Sequence, residues 1–260
     1  MRTDCCQTRY PIVLVHGMNC RDDRPIFYWG RIPDVLRARG ARVYLSGQDA
    51  WGTVAGNARQ LQQAVQRVLE AEHCEKVNFV AHSKGGLEVR YLISKLGMAG
   101  QAASLTTLST PHHGSRTAQW MGARRLLTPY GLCSNQFWRL LGDQSPDFFQ
   151  TLHDLSADWA EDFNRECPDA PGVYYQSWGA RLGGSAHDPI MSLFGAVCRP
   201  FDGETDGLVS AKSAEWGNYR GTLDRVSHQY LADALQRDLP HFRPCAFHVR
   251  LVRELAKNGF

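Results

Sequence analysis

A serine hydroxyl is a weak nucleophile until a base removes its proton. A serine in a special backbone setting, followed later in the chain by a carboxylate and a histidine, therefore marks candidate acyl-transfer chemistry. Residues 76–86 read KVNFVAHSKGG. A β-branched run feeds Ala81-His82-Ser83-Lys84-Gly85, and a helix-like segment follows. A strand-to-helix turn sharp enough to lift a serine hydroxyl above a sheet needs small residues two positions before and after it, because the two backbones nearly touch there. Ala81 and Gly85 meet that need. The helix N-terminus then points at Ser83 and favours negative charge developing beside it. The pattern predicts Ser83 as nucleophile; the plainer alternative is an incidental tight turn. His82, the neighbour, is expected to point away and pack beneath the loop.

The chain order for such a serine is Ser, then Asp or Glu, then His. Of ten histidines, those after Ser83 are His112, His113, His153, His187, His228, His241 and His248. His112 and His113 directly follow a strand and Pro111, too early for that order, and are expected to shape a loop. His248 falls in a terminal helix and reads as structural. His228, in RVSHQYL, is the favoured base, with His241 as the alternative. For the acid, GETDGLVS (203–210) places Asp206 before Gly207 and an expected short apolar strand, with Asp202 and Glu204 as alternatives. Two backbone N–H donors complete such a site. Lys84, directly after the nucleophile, is one candidate, and Met18, at the His16-Gly17-Met18 strand–loop junction, is the other. The Lys84 side chain could also support a Ser-Lys mechanism, but it is expected to point to solvent.

The surrounding elements alternate. Residues 10–15, 41–45, 76–81 and 103–109 read as strands, joined by helices around Ile32–Leu36 (capped by Gly40), at Val54–Val68 and over 84–96. Val54, Ala58, Leu61, Val65 and Val68 step by four and three along one helical face. Alternation of this kind implies a parallel sheet covered by helices on both sides. Residues 115–152 break the pattern, with Trp120, Leu126, Leu127, Tyr130, Phe137, Trp138 and Leu140 set among basic and polar residues. A helix at 155–163, a strand at 172–177 and a terminal helix through Phe247, Leu251, Val252 and Leu255 follow.

The chain has 260 residues, enough for one large core, and neither repeats nor linkers divide it, so 1–260 reads as one domain. A net charge of +3, with acids and bases interspersed, excludes a nucleic-acid footprint. The sequence holds no apolar run long enough for a transmembrane segment. The polar N-terminus lacks a signal-peptide core, so the expected compartment is cytoplasmic, or secreted if a leader is missing. Eight scattered cysteines without metal-ligand spacing read as buried thiols, with one disulfide left open.

IVLVHG (12–17), AHSKGG (81–86), STPHHGS (109–115) and GETDGLVS, followed by a late histidine, together resemble bacterial triacylglycerol lipases. The likeness is to the true lipases of Pseudomonas, Burkholderia and thermophilic Bacillus relatives, and more closely to smaller lipase-like hydrolases of Firmicutes. The 22-residue step from Asp206 to His228 also suits the Pseudomonas arrangement. The resemblance implies a minimal α/β-hydrolase fold, a mostly parallel sheet flanked by helices, with a helical lid at about 115–150. It further implies hydrolysis of acylglycerols or other esters, at a lipid interface, without a cofactor. The family's structural calcium uses a carboxylate two residues after the catalytic histidine, where this chain has Tyr230. Calcium is therefore not expected, although Asp233 and Asp188 could form a rearranged site, and the zinc-binding insertion has no counterpart. A short-chain carboxylesterase is the main alternative. A non-catalytic binding member of the fold, a peptidase and an acyltransferase are others.

Overall fold

The computed structural model describes residues 4–22, 28–124, 127–184 and 187–260. Its centre is a six-stranded sheet of β1 (Ile12–Val15), β2 (Val43–Leu45), β3 (Val77–His82), β4 (Ala102–Leu108), β5 (Tyr174–Arg181) and β6 (Asn218–Asp224). The strand order is β2-β1-β3-β4-β5-β6, and every neighbouring pair is parallel. The chain thus enters next to one edge, doubles back across β1 and then winds outward to β6. In β1, β3 and β4 every residue is buried, as expected for strands covered on both faces.

Alternate side chains of each strand serve opposite cores. Ile12, Leu14 and Val80 pack with Leu36, Leu251, Val252 and Leu255 on one side. Val13, Val15, Phe79 and Ala81 pack with Ala58, Leu61, Val65 and Leu92 on the other. The first layer draws on α1 (Ile32–Arg37) and α10 (Pro244–Lys257). The second draws on α2 (Val54–Glu72) and α3 (Gly85–Ser94). The periodic face expected from Val54 to Val68 is the buried face of α2, whose first turn is capped by the Thr53 hydroxyl accepting from Gly56 N–H. α1 is C-capped at Ala38, and Gly40, at φ +86°, reverses the chain just beyond it, its N–H donating to Arg37 O and that of Ala41 to Leu36 O.

Among the described residues, four α-helices lie between β4 and β5: α4 (Arg116–Gly122), α5 (Thr128–Leu140), α6 (Phe148–His153) and α7 (Ala157–Glu166). Three of them begin at a side-chain cap, Ser115, Asp147 and Ser156 respectively. Within α5 only Gly131 is buried, and Tyr130, Leu132, Phe137 and Leu140 are exposed. Trp138 and Leu127 are half-buried, and Leu126 lies outside the described residues. Two elements had no counterpart in the sequence reading. They are β6 and α8 (Pro189–Asp202), which exposes Ile190, Leu193, Phe194, Val197 and Phe201. The eight cysteines are free thiols, and Cys133 alone among them is exposed.

Candidate active site

β3 ends at His82, and the next residue turns the chain into α3 at a non-glycine φ of +57°. A left-handed serine carries a strain cost on the order of 1 kcal/mol, tolerated where the surroundings force it. Here they do. Ser83 N–H donates to Leu108 O at 2.9 Å, and Ser83 O accepts from Thr110 Oγ1 at 2.7 Å. A Cβ on Gly85 would stand 2.5 Å from His16 O and 2.7 Å from Val15 O, so strand and helix meet as a glycine-dependent crossing. A Cβ on Gly17 would lie 2.7 Å from Ser83 Cβ and 3.2 Å from its Oγ. The backbone of the first loop therefore runs directly against the serine.

Asp206, in the β5–β6 crossover, meets His228, which follows β6. His228 Nδ1 and Asp206 Oδ2 are 2.7 Å apart, and His228 N–H also donates to Asp206 O at 2.9 Å. The other carboxylate oxygen, Oδ1, accepts from Leu208 N–H at 3.1 Å and Val209 N–H at 2.9 Å. The short apolar strand expected after Gly207 does not form. Instead residues 207–210 wrap around the carboxylate, because Asp206 draws the Leu208 and Val209 N–H groups to itself and Gly207 takes φ +114°. Bonds of this kind fix the direction of the carboxylate. With Nδ1 carrying the proton to Asp206, Nε2 of His228 is left as the basic nitrogen. His228 opens the short helix α9 (His228–Leu231), with its ring 4.3 Å from that of His82, next door to Ser83. No hydrogen bond joins Ser83 Oγ to Nε2, as is common before a substrate draws such groups together.

His82 packs beneath the turn as expected. Its Nδ1 lies 2.5 Å from Tyr28 Oη, and Trp29 meets its ring edge-on. Burial, reinforced by His228, pushes its pKa well below 6.5, so the ring is neutral at pH 7. The remaining candidates are engaged elsewhere. His112 is buried against Thr107 Oγ1 and stacks on Trp216. His241 is exposed and bonds Arg225 O, and His248 is buried against Pro244 O. Asp202 accepts from Ser115 Oγ, Thr117 Oγ1 and Arg116 N–H at the start of α4, and Glu204 pairs with Arg181. Among the three acids of the 202–206 loop, Asp206 is the one that meets a histidine.

Lys84 stands at the N-cap of α3, where helix N–H groups lack partners from a preceding turn. Met18 is half-buried just after Gly17. The Lys84 side chain corrects the expectation of solvent exposure: it is fully buried, bonds Gly52 O at 2.7 Å and pairs with Glu88. The long stem turns inward because Glu88, one turn along α3, supplies the countercharge.

A calcium site fits poorly. Asp188 Oδ1 accepts from Met191 N–H and its Oδ2 from Ser227 Oγ, while Asp233 is held by Arg31 through both oxygens. Tyr230 is buried, and its Oη accepts from Arg237 Nε at 2.7 Å. Among the described residues no group of three or more acidic, histidine or cysteine side chains could hold a metal ion. Two arginines and a serine hydroxyl brace the loop that carries His228. No helix among the described residues is long and apolar enough to cross a membrane.

This architecture has relatives. The palmitoyl protein thioesterase family profile matches residues 11–156. The triacylglycerol lipase of Vibrio cholerae is 30% identical over 251 residues, 85% of this chain and 79% of that protein. The triacylglycerol lipase of Pseudarthrobacter phenanthrenivorans is 34% identical over 213 residues, 74% of this chain and 66% of that protein, just under two thirds of its length. The crystal structure of Staphylococcus hyicus lipase superposes with a TM-score of 0.74 at 16% identity, covering 99% of this chain and 98% of that one. The chain belongs to the triacylglycerol lipase family of α/β-hydrolases, a family of carboxylic ester hydrolases.

Proposed function

We propose that this chain is a triacylglycerol lipase working through an acyl-enzyme on Ser83, with His228 as base and Asp206 as the acid that orients it. The observation that carries this reading is the 2.7 Å Asp206–His228 contact, set beside a serine held at positive φ. As Ser83 Oγ attacks the ester carbonyl, His228 Nε2 takes its proton. Asp206 keeps the imidazolium oriented and remains ionised. The tetrahedral oxyanion is stabilised by the N–H groups of Met18 and Lys84. His228 then gives the proton to the leaving alcohol oxygen as the C–O bond breaks. Water, deprotonated by His228, attacks the acyl carbon, and the fatty acid leaves as Ser83 regains its proton. No metal or cofactor enters these steps.

Residues 1–260 act as a single domain in this reading, and the stretch at about 115–150 serves as a lid over the site. Its exposed side chains on α4 and α5, with those of α8, form the surface that meets a lipid interface. A second reading has a specific basis. The thioesterase profile covers more than half of the chain, and a long-chain acyl thioester would use the same triad. The test is labelling by a fluorophosphonate, with the adduct mapped by mass spectrometry, alongside hydrolysis of an emulsified triglyceride and of palmitoyl-coenzyme A. Ser83→Ala should abolish labelling. Asp206→Asn and His228→Ala should lower turnover by about three to four powers of ten. An adduct elsewhere, or full activity in His228→Ala, would sink the assignment. Faster turnover of the thioester than of any triglyceride would favour the second reading.

A further inference from the structure

We infer that the buried Lys84–Glu88 ion pair is a positioning device that holds the two oxyanion-binding N–H groups, on Lys84 and Met18, in fixed relation to each other. The inference rests on the functional reading above. Both charged side chains are fully buried on the first turn of α3. Lys84 Nζ donates to Gly52 O at 2.7 Å. Glu88 Oε1 accepts from Asn57 Nδ2 at 2.8 Å and Oε2 from Gln48 Nε2 at 3.0 Å. The same Gln48 nitrogen donates to His16 O at 3.0 Å, two residues before Met18. On the far side, the His16 ring lies 3.1 Å from Gln48 O and 2.7 Å from Gly17 O. Three otherwise separate segments, around Gly17, around Gly52 and at the start of α3, are thus joined at one node directly behind the loop and helix end that carry the two N–H groups.

Stability alone does not account for the pair. A lysine at a helix N-terminus opposes the helix dipole, and a buried ion pair is often no better than apolar residues of the same volume. What the pair adds is direction. The Lys84 side chain ties its own residue's backbone to the 48–52 loop, and Glu88 anchors Gln48 of that loop, whose amide also donates to the His16 carbonyl. Apolar side chains would fill the space without fixing either segment. Oxyanion stabilisation is steep in distance, and a misplacement of about 1 Å can lower turnover about a hundredfold.

The test compares wild type with the double variant Lys84→Met/Glu88→Leu and with Gln48→Met, which leaves the ion pair intact and cuts its link to His16. For each, the measurements are melting temperature, kcat and KM on p-nitrophenyl butyrate, and inhibition by an alkylboronic acid, which forms a tetrahedral adduct on the nucleophile. The double variant should melt close to wild type, with kcat lower by about ten- to a hundredfold, KM within about twofold and boronic acid affinity weakened in parallel with kcat. Gln48→Met should show the same split more mildly. Native kcat and native boronic acid affinity in a folded double variant, or in folded Gln48→Met, would overturn the inference and leave the triad untouched. Failure of the wild type to label at Ser83 would instead remove the functional reading and this inference with it.

Discussion

Asp49 and Asp143 each cap the loop that carries the other. Asp49 accepts the N–H groups of Gln144 and Ser145 at 2.9 and 2.8 Å, and Asp143 accepts those of Ala50 and Trp51 at 3.0 and 2.9 Å. Both acids are buried, and Arg21 pairs with Asp143 at 2.9 Å. The loop before α2 is thereby stitched to the chain leaving α5, and Thr151 and Asp154 extend the seam to Trp51 O and Val54 N–H. This seam is the fixed end of the helices inserted between β4 and β5.

Asp143→Ala leaves the buried N–H groups of Ala50 and Trp51 without their acceptor and removes the Arg21–Asp143 ion pair. Such losses cost about 2–4 kcal/mol together. The expected outcome is a clearly lower melting temperature, with amide exchange accelerated in α5 far more than in α2 or α3. If the variant melts within a degree of wild type, the seam is not what anchors this region.

The exposed apolar side chains of α5 and α8 lead to a second prediction. Large hydrophobic residues exposed on two neighbouring insertions mark a surface that meets something apolar, and burying about 100 Å² of such area is worth about 2.5 kcal/mol. Trp120 of α4 and Phe201 of α8 already touch, with ring centres 5.5 Å apart, so the two insertions share one face. Phe137→Ser with Phe194→Ser should weaken adsorption to a triglyceride emulsion at least tenfold and leave hydrolysis of a monomeric short-chain ester nearly unchanged. Equal losses on both substrates, or on neither, would identify a static cap.

How much of this could be read from the residues alone depends on where each signal resides. The serine turn was legible because its requirement is local: a β-branched strand, Ala81, Ser83 and Gly85, in that order. The Asp206–His228 pairing was legible from chain order, but the turn around Asp206 was not, since carboxylate-to-backbone bonds override a Leu-Val β propensity. β6, sequence NYRGTLD, was hidden because an edge strand alternates exposed and half-buried residues and this one contains Gly221. α8 was hidden by Pro189, Pro200 and an apolar surface too broad to look amphipathic in the expected way. Lysine is almost never fully buried, so the inward turn of Lys84 needed Gly52 and Asn57, which only the fold brings near.

Acid should unfold this protein through its buried histidines. Burial lowers the pKa values of His82 and His112 well below 6.5 and that of His248 to about 4. The native rings refuse protons that the unfolded chain accepts once the pH drops below about 6.5, so stability is fully present above that value and falls toward pH 4. For His248 the full window corresponds to about 3 kcal/mol. His248 packs edge-on against Trp29 and Phe247, so a phenyl ring fits its place. In urea titrations at pH 7 and pH 4.5, His248→Phe should lose about 2–3 kcal/mol less than wild type between the two conditions. Parallel losses would mean that another group controls the acid transition.

The last prediction concerns calcium. Calcium requires six to eight oxygen ligands, with carboxylates carrying most of the charge. At the loop bearing His228 the available carboxylates are already committed, Asp233 to Arg31 and Asp188 to Ser227 and Met191. Binding an ion there would require breaking the Arg31–Asp233 pair, in which both carboxylate oxygens accept, and bringing a dication near Arg31 and Arg237. The same loop is held without an ion through Arg237, which bonds both Tyr230 Oη and His187 O. Melting temperature and ester hydrolysis should therefore be the same in EDTA and in millimolar calcium. Tyr230→Phe should lower the melting temperature in both, because it leaves the Arg237 bond unmade. A fall of several degrees in EDTA, reversed by calcium, would show that a metal braces the loop.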